Sequence, residues 1–163
     1  MTADAAAGPT FDLDHYLSLP RVAGLALSPD GGRLVTSVAT PGPDGKKFTS
    51  ALWELDPAGL QAPRRLTRSA PGEANAAFLP DGSLLFTSTR DDPEAAPGDR
   101  PDQEVARLWL LPAGGGEARP VAATPAGIDL LRVARDAGTV VYTTGVHPAA
   151  DDLEADERRE QAR

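Results

Sequence analysis

The chain has 163 residues, with 24 acidic and 16 basic side chains, which give a net charge of −8 at pH 7. This acidic balance argues against a nucleic-acid partner, because phosphate backbones are bound by clustered Lys and Arg. The absence of cysteine excludes disulfides, thiol catalysis and cysteine-ligated zinc, and no apolar run approaches the roughly 18 residues that a membrane span needs.

The N-terminal segment divides into two parts. Residues 1–10 are mostly small and are predicted to be disordered, and residues 1–8 lack the basic and apolar stretches of a secretion signal, so we expect a cytoplasmic protein without a membrane partner. The spacing of Phe11, Leu13, Tyr16 and Leu17 then predicts a short amphipathic helix over 11–18, which ends before Pro20. Residues 11–163 are predicted to form the ordered part.

One pattern, a strand, a turn and a second strand, occurs twice and returns in degraded form. It covers residues 26–37, 77–88 and 132–144. The turn aspartates Asp30, Asp81 and Asp136 follow one another at intervals of 51 and 55 residues. A period near fifty residues built from short strands is typical of the blades of a β-propeller.

The repeats predict three blades, the last of them incomplete. The first blade, about 22–68, is predicted to hold strands at 22–27, 33–40, 48–56 and 64–67. The second, about 74–124, holds strands at 74–78, 84–90, 107–112 and 118–123. The third, 128–163, offers strands at 128–133 and 139–145 only. The predicted fold class is therefore all-β, an incomplete β-propeller with two four-stranded antiparallel blades and half of a third, since rings need about four to eight blades to close.

The connections between the second and third strands of the blades lengthen along the chain. They cover 41–47, 91–106 and everything after 145. Their shared position on one face indicates either a contact surface or the ordinary tolerance of loops for insertion. The last of them contains a predicted charged helix over 151–163, with acids first, bases last and a Glu154–Arg158 pair one turn apart.

The repeated polar and aromatic residues are interpreted as structural. Proline presets φ, aspartate caps its own turn and glycine accepts positive φ, so Pro-Asp-Gly between strands is hairpin chemistry. Two tryptophans at equivalent positions favour packing between blades over ligand stacking. The turn residues are Pro29, Asp30, Gly31, Pro80, Asp81 and Gly82, and the packing residues are Trp53 and Trp109.

No active site can be assembled from the sequence. His15 and His147 are the only histidines, and neither has a second ligand at metal-like spacing. No serine lies in a G-x-S-x-G motif, so a nucleophile elbow is absent. We therefore predict no catalytic, cofactor-binding or metal-binding residues, and no cofactor.

Four segments resemble the start of a prolyl oligopeptidase family serine peptidase, of the acylaminoacyl-peptidase or dipeptidyl-aminopeptidase type. They are FDLDHYL at 11–17, LPRV at 19–22, LSPDG at 27–31 and DDLEADERREQAR at 151–163. The resemblance implies an N-terminal propeller truncated before a C-terminal α/β-hydrolase domain that carries the Ser, Asp and His triad. No functional residue of that family, including its paired glutamates, has a counterpart here.

The resemblance leads to a first hypothesis with two alternatives. In the first, the chain is a catalytically inactive propeller segment that gates the access of peptide substrates to the hydrolase domain. Similar Ser-Pro-Asp-Gly blades occur in TolB-like propellers, so the second is a non-enzymatic propeller for protein interaction. The third is a different propeller enzyme with its site around the central channel.

Overall fold

A computed structural model of the chain describes residues 11–42, 44–94 and 105–161. The predicted disorder over 1–10 falls outside the described residues, as do part of the second long connection and the last two residues of the predicted C-terminal helix. The described residues are mostly β, with two helices at the ends of the described chain.

The first sheet has four antiparallel strands in the order in which they occur in the chain. After helix α1 (Leu13–Ser18), these are β1 (Arg21–Leu27), β2 (Leu34–Pro41), β3 (Phe48–Leu55) and β4 (Arg64–Arg65). Asp12 caps α1, since its carboxylate accepts hydrogen bonds from the N–H groups of Asp14 and His15. This cap starts the helix two residues later than the periodicity predicts.

The second sheet repeats this order, and a third sheet has two strands. The second contains β5 (Ala74–Phe78), β6 (Leu84–Ser88), β7 (Arg107–Leu111) and β8 (Arg119–Ala122). The third pairs β9 (Leu131–Val133) with β10 (Val140–Tyr142), and helix α2 (Leu153–Gln161) follows. The prediction of a mostly β chain with four-stranded antiparallel sheets is thus confirmed.

The fourth strand of the first sheet is shorter than predicted because side chains replace its ladder. After β4, the Leu66 N–H still donates to the Leu52 carbonyl, but the Leu52 N–H donates to the Thr67 hydroxyl. That hydroxyl in turn donates to the buried Glu73 carboxylate. The strand therefore gives way to a polar network that leads into β5.

One hydrophobic core lies between the first two sheets. Val35 and Leu52 of the first sheet pack with Phe86 and Trp109 of the second, and all four are fully buried. Complete burial of each large side chain stabilises the fold by roughly 1.5–3 kcal/mol. This core joins the two sheets face to face.

A second core lies between the second and third sheets. Leu85 and Leu108 of the second sheet pack against Leu131 of β9 and Ile128 just before it. The Ile128 N–H donates to the Ala106 carbonyl, which ties the start of the third sheet to the start of β7. β9 begins at Leu131, three residues later than the sequence predicts, although Asp129 and Leu130 still exchange backbone hydrogen bonds with Thr143.

Candidate functional site

The two Pro-Asp-Gly segments form the β1–β2 and β5–β6 turns. Gly31 and Gly82 have φ values of 75° and 81°, in the left-handed region that glycine adopts without strain. The N–H of Gly31 donates to the Ser28 carbonyl, and that of Gly82 to the Leu79 carbonyl. In both turns the proline therefore precedes an aspartate and a left-handed glycine.

The aspartates of these turns bond within their own turns. Asp30 accepts hydrogen bonds from the Ser28 hydroxyl and the Gly32 N–H, and Asp81 accepts one from the Ser83 N–H. The Ser28 hydrogen bond, followed by that of Gly32, holds the pKa of Asp30 below its usual value. The Asp30 carboxylate is therefore poorly suited to act as a general acid or base.

The two predicted packing tryptophans occupy different environments. Trp109 is fully buried in the first core, where the Arg90 guanidinium lies 3.9 Å from its ring centroid and its indole N–H donates to the Ser88 carbonyl. Trp53 is half-buried and, by strand alternation, lies on the face opposite Leu52. Within the described residues, no sheet packs on that face.

A bulge interrupts the first strand of each four-stranded sheet at the same place. The registers of β1 and β5 shift between Ala23 and Ala26 and between Ala74 and Ala77. A left-handed residue, Gly24 in β1, marks the bulge. Its counterpart in β5 is Asn75, at φ 52°. The bulges bend these strands and break the regular run of backbone donors and acceptors along their free edges.

The strands β1, β5 and β9 border one groove, which we call the three-strand groove. Each of them stands at the end of its sheet, so each has a neighbour on one side only among the described residues. The groove encloses about 790 Å³ and is lined mainly by small, apolar or hydroxyl side chains of these strands. A second cavity, bordered by Ala106, Gly127 and Thr143, is smaller, at about 470 Å³.

Three hairpin turns meet at one end of the three-strand groove. The Arg135 guanidinium, in the β9–β10 turn, donates to the Pro29 carbonyl in the β1–β2 turn at 3.2 Å. In the same β9–β10 turn, Gly138 lies against the ring of Pro80, close enough that an added Cβ would meet it at 3.4 Å. The first of these contacts joins segments 106 residues apart in the chain.

The groove contains three arginines that sequence reasoning missed. They are Arg21 in β1, Arg132 in β9 and Arg135 in the turn that follows. A signal for two of them was present, because Arg132 and Arg135 stand in the degraded third repeat where the second has Ala77 and Pro80. No Asp or Glu is among the described residues that line the groove.

The described residues contain no cluster of metal-ligating side chains, and the two histidines lie outside the groove. Within them, no group of three or more His, Cys, Asp or Glu side chains could hold a metal ion. Neither His15 nor His147 lines the three-strand groove, and the His147 ring accepts a hydrogen bond from the nearby Ala149 N–H. None of the helices in the described ranges is long and apolar enough to cross a membrane.

Together, the antiparallel sheets and the groove between their first strands are features of a propeller-like β protein. The chain is similar to a solved structure assigned as TolB from Agrobacterium tumefaciens, a β-propeller protein, with a TM-score of 0.55 and 15% sequence identity. The alignment covers 82% of this chain and 41% of that protein. At this identity the likeness shows a shared fold and nothing about function.

No protein-family model and no curated protein matches the chain. The resemblance to prolyl oligopeptidase family peptidases thus has no family or homologue support and stays a prediction.

Proposed function

We propose that this chain is part of a β-propeller that binds peptide segments of other proteins and catalyses no reaction. The observation that carries the proposal is the three-strand groove, in which the first strands of three sheets face a shared space of about 790 Å³. A concave site lined by several elements is a usual place for a ligand.

The blade assignment belongs to the same proposal. The first and second sheets would be consecutive blades, and β9 with β10 would begin a third. The repeat interval of 51 residues, the two cores between successive sheets and the likeness to the TolB fold support this assignment. In such an arrangement the three-strand groove would be a section of the wall around the propeller axis.

The groove chemistry favours binding over catalysis. Its described lining offers arginines, hydroxyls and backbone groups but no histidine. The Asp30 carboxylate accepts a hydrogen bond from the lining serine Ser28, but its pKa is held below the usual value, which makes it a weak general base. A binding role needs only shape and hydrogen-bonding groups, both of which the groove supplies.

A peptidase-linked role is the second candidate, and the four segments that resemble prolyl oligopeptidase family members favour it. The chain would then gate peptide access to a C-terminal α/β-hydrolase domain of a cytoplasmic parent protein. The coding sequence beyond Arg163 tests this candidate. A continuation to G-x-S-x-G with a later Asp and His would support it, and a propeller that closes without a hydrolase domain would overturn it.

Selection of peptides from a random library displayed on phage tests the binding proposal. Peptides enriched on the chain are expected to lose binding to the variant Ala23→Trp, because Ala23 is an exposed residue of the groove lining and the indole would fill the space. The matched control is Ala58→Trp, at an exposed loop position outside the lining. Failure to enrich any peptide, or equal binding to both variants, would overturn the proposal.

A further inference from the structure

The arginines of the three-strand groove are an unusual concentration of positive charge in an acidic chain. The net charge is −8, yet the described lining contains three arginines and no acidic residue. Random placement of this chain's charges would favour acids at any surface. The sign of the groove is therefore opposite to that of the molecule.

These arginines differ from Arg33, Arg64 and Arg90 in what they contact. Arg33 and Arg64 both pair with Glu54, and Arg90 lies 4.0 Å from Glu117. Such pairs neutralise the guanidinium within the fold. Among the described residues, no ion pair of this kind includes a groove arginine.

The contacts of the groove arginines orient them and leave their charge uncompensated. The Arg21 guanidinium lies 4.1 Å from the ring centroid of Phe48, and Arg132 and Arg135 each donate one hydrogen bond to a backbone carbonyl. A guanidinium carries five N–H donors in a planar fork that matches a carboxylate. Each of these side chains can therefore bind a carboxylate from outside the described fold.

The span of the arginines indicates the size of the ligand. Arg21 begins β1, and Arg135 contacts Pro29 just beyond the end of that strand. A strand of seven residues is about 23 Å long at roughly 3.3 Å per residue. No small anion reaches both ends, whereas an extended segment with several carboxylates does.

The bulges decide how such a segment would bind. A peptide that adds to a sheet edge needs a regular row of free backbone groups, and the bulges at Gly24 and Asn75 interrupt that row in β1 and β5. Recognition must therefore rely mainly on side chains, which gives the arginines a larger share of the affinity.

We propose that the three-strand groove binds an extended acidic peptide segment, whose carboxylates pair with Arg21 at one end and with Arg132 and Arg135 toward the other. This inference rests on the proposed peptide-binding function and names its ligand class. A nucleic acid is disfavoured, because its bases need aromatic side chains to stack on, and Phe78 is the one aromatic residue among the described residues of the lining.

Fluorescence anisotropy with a labelled poly-glutamate peptide of about eight residues tests the proposal. The double variant Arg132→Gln/Arg135→Gln is expected to bind about tenfold or more weakly, because each substitution removes a charge-assisted hydrogen bond. The control is Arg119→Gln/Arg159→Gln, which removes the same charge at exposed positions outside the groove and should change binding less than about twofold. Circular dichroism checks that both variants fold.

The other arms separate the alternatives. Poly-glutamine of equal length is expected not to bind, and oligothymidylate of matched length is expected to bind more weakly than poly-glutamate. Equal loss in both double variants, or tighter binding of the oligonucleotide, would overturn the acidic-peptide proposal. The selected library peptides separate this inference from the binding function. If they lose binding to Ala23→Trp but are uncharged and bind equally well to Arg132→Gln/Arg135→Gln, the acidic-peptide inference fails while the binding function stands.

Discussion

Gly24 and Asn75 occupy equivalent positions in β1 and β5, and both have a left-handed backbone, with φ values of 66° and 52°. In each sheet, a threonine twelve residues further along the chain, Thr36 or Thr87, forms a hydrogen bond to the bulge. The Thr36 hydroxyl donates to the Gly24 carbonyl, and the Thr87 hydroxyl donates to the Ala74 carbonyl. Equivalent threonines of the two repeats therefore donate to a backbone carbonyl at the bulge.

Substitutions at Asn75 should separate backbone strain from hydrogen bonding. Asn75→Val is expected to lower the free energy of unfolding by about 1–3 kcal/mol more than Asn75→Gly, because a β-branched residue is strained at positive φ. Asn75→Gly removes only the hydrogen bonds that the Asn75 side-chain amide donates to Thr87 and Asp129, which should lower the free energy of unfolding by about 1 kcal/mol. Urea denaturation measures both. The control Gly24→Asn should be tolerated, since a Cβ there meets open space. Equal losses for Val and Gly would show that the bulge imposes no strain.

The sequence predicted local features well and contacts between repeats poorly. Strands such as β2 and β3 follow from apolar alternation, and the turns at Asp30 and Asp81 follow from residue chemistry within four positions. The groove depends on how β1, β5 and β9 face one another, which no local pattern encodes. Arg132 and Arg135 were detectable only as departures from the repeat, and no sequence pattern pointed to Arg21.

The tryptophans illustrate the same limit. Their equivalent positions suggested equal roles, but only Trp109 has a neighbouring sheet on its face within the described residues. The last residues of β5 and β1 show the same difference between the sheets, since Phe78 is 7% exposed and its counterpart Leu27 is 58% exposed. Which face of a repeat is covered depends on the repeat before it, and this cannot be deduced from the repeat alone.

Replacement of the tryptophans should therefore have unequal effects. Trp109→Ala is expected to destabilise the chain by about 3–5 kcal/mol, because it leaves a cavity in the first core. Trp53→Ala should cost about 1–2 kcal/mol, since the half-buried ring leaves no enclosed cavity. Denaturation monitored by circular dichroism compares them. In single-tryptophan variants made with Phe, acrylamide should quench Trp53 more strongly than Trp109. Similar losses for both would mean that the face of Trp53 is covered in solution.

The Arg33–Glu54–Arg64 cluster should make stability depend on pH. Burial raises the pKa of Glu54, but hydrogen bonds and charge from Arg33 and Arg64 outweigh burial and hold the pKa below its usual value of 4.5. The stabilisation is therefore present above pH 4.5 and is lost as pH falls through the lower folded pKa.

The variant Glu54→Gln measures this contribution. It is expected to cost about 1–3 kcal/mol at neutral pH and to flatten the fall in stability between about pH 5 and pH 3. The control Glu117→Gln removes a carboxylate that is 83% exposed and 4.0 Å from Arg90, so its stability profile should follow the unchanged chain. If stability fell with pH in Glu54→Gln as it does in the unchanged chain, the Glu54 ion pairs would be ruled out as the source of the pH dependence.

The connection between the first two sheets should tolerate no side chain at Gly72. Its φ is 92°, and an added Cβ would lie 2.8 Å from the Ser50 carbonyl oxygen, at the point where the Glu73 N–H donates to that same oxygen. The Glu73 carboxylate is buried and accepts hydrogen bonds from the Thr67 hydroxyl and the Ser69 N–H. A displaced backbone at Gly72 would therefore disturb these bonds as well.

Gly59 is the matched control, since its φ is 70° but its Cβ would meet open space. Gly59→Ala should cost about 1–2 kcal/mol from left-handed strain alone, and Gly72→Ala more than that. Equal losses in urea denaturation would show that β3 moves aside freely, and the carboxylate network would then be no constraint on how the two sheets join.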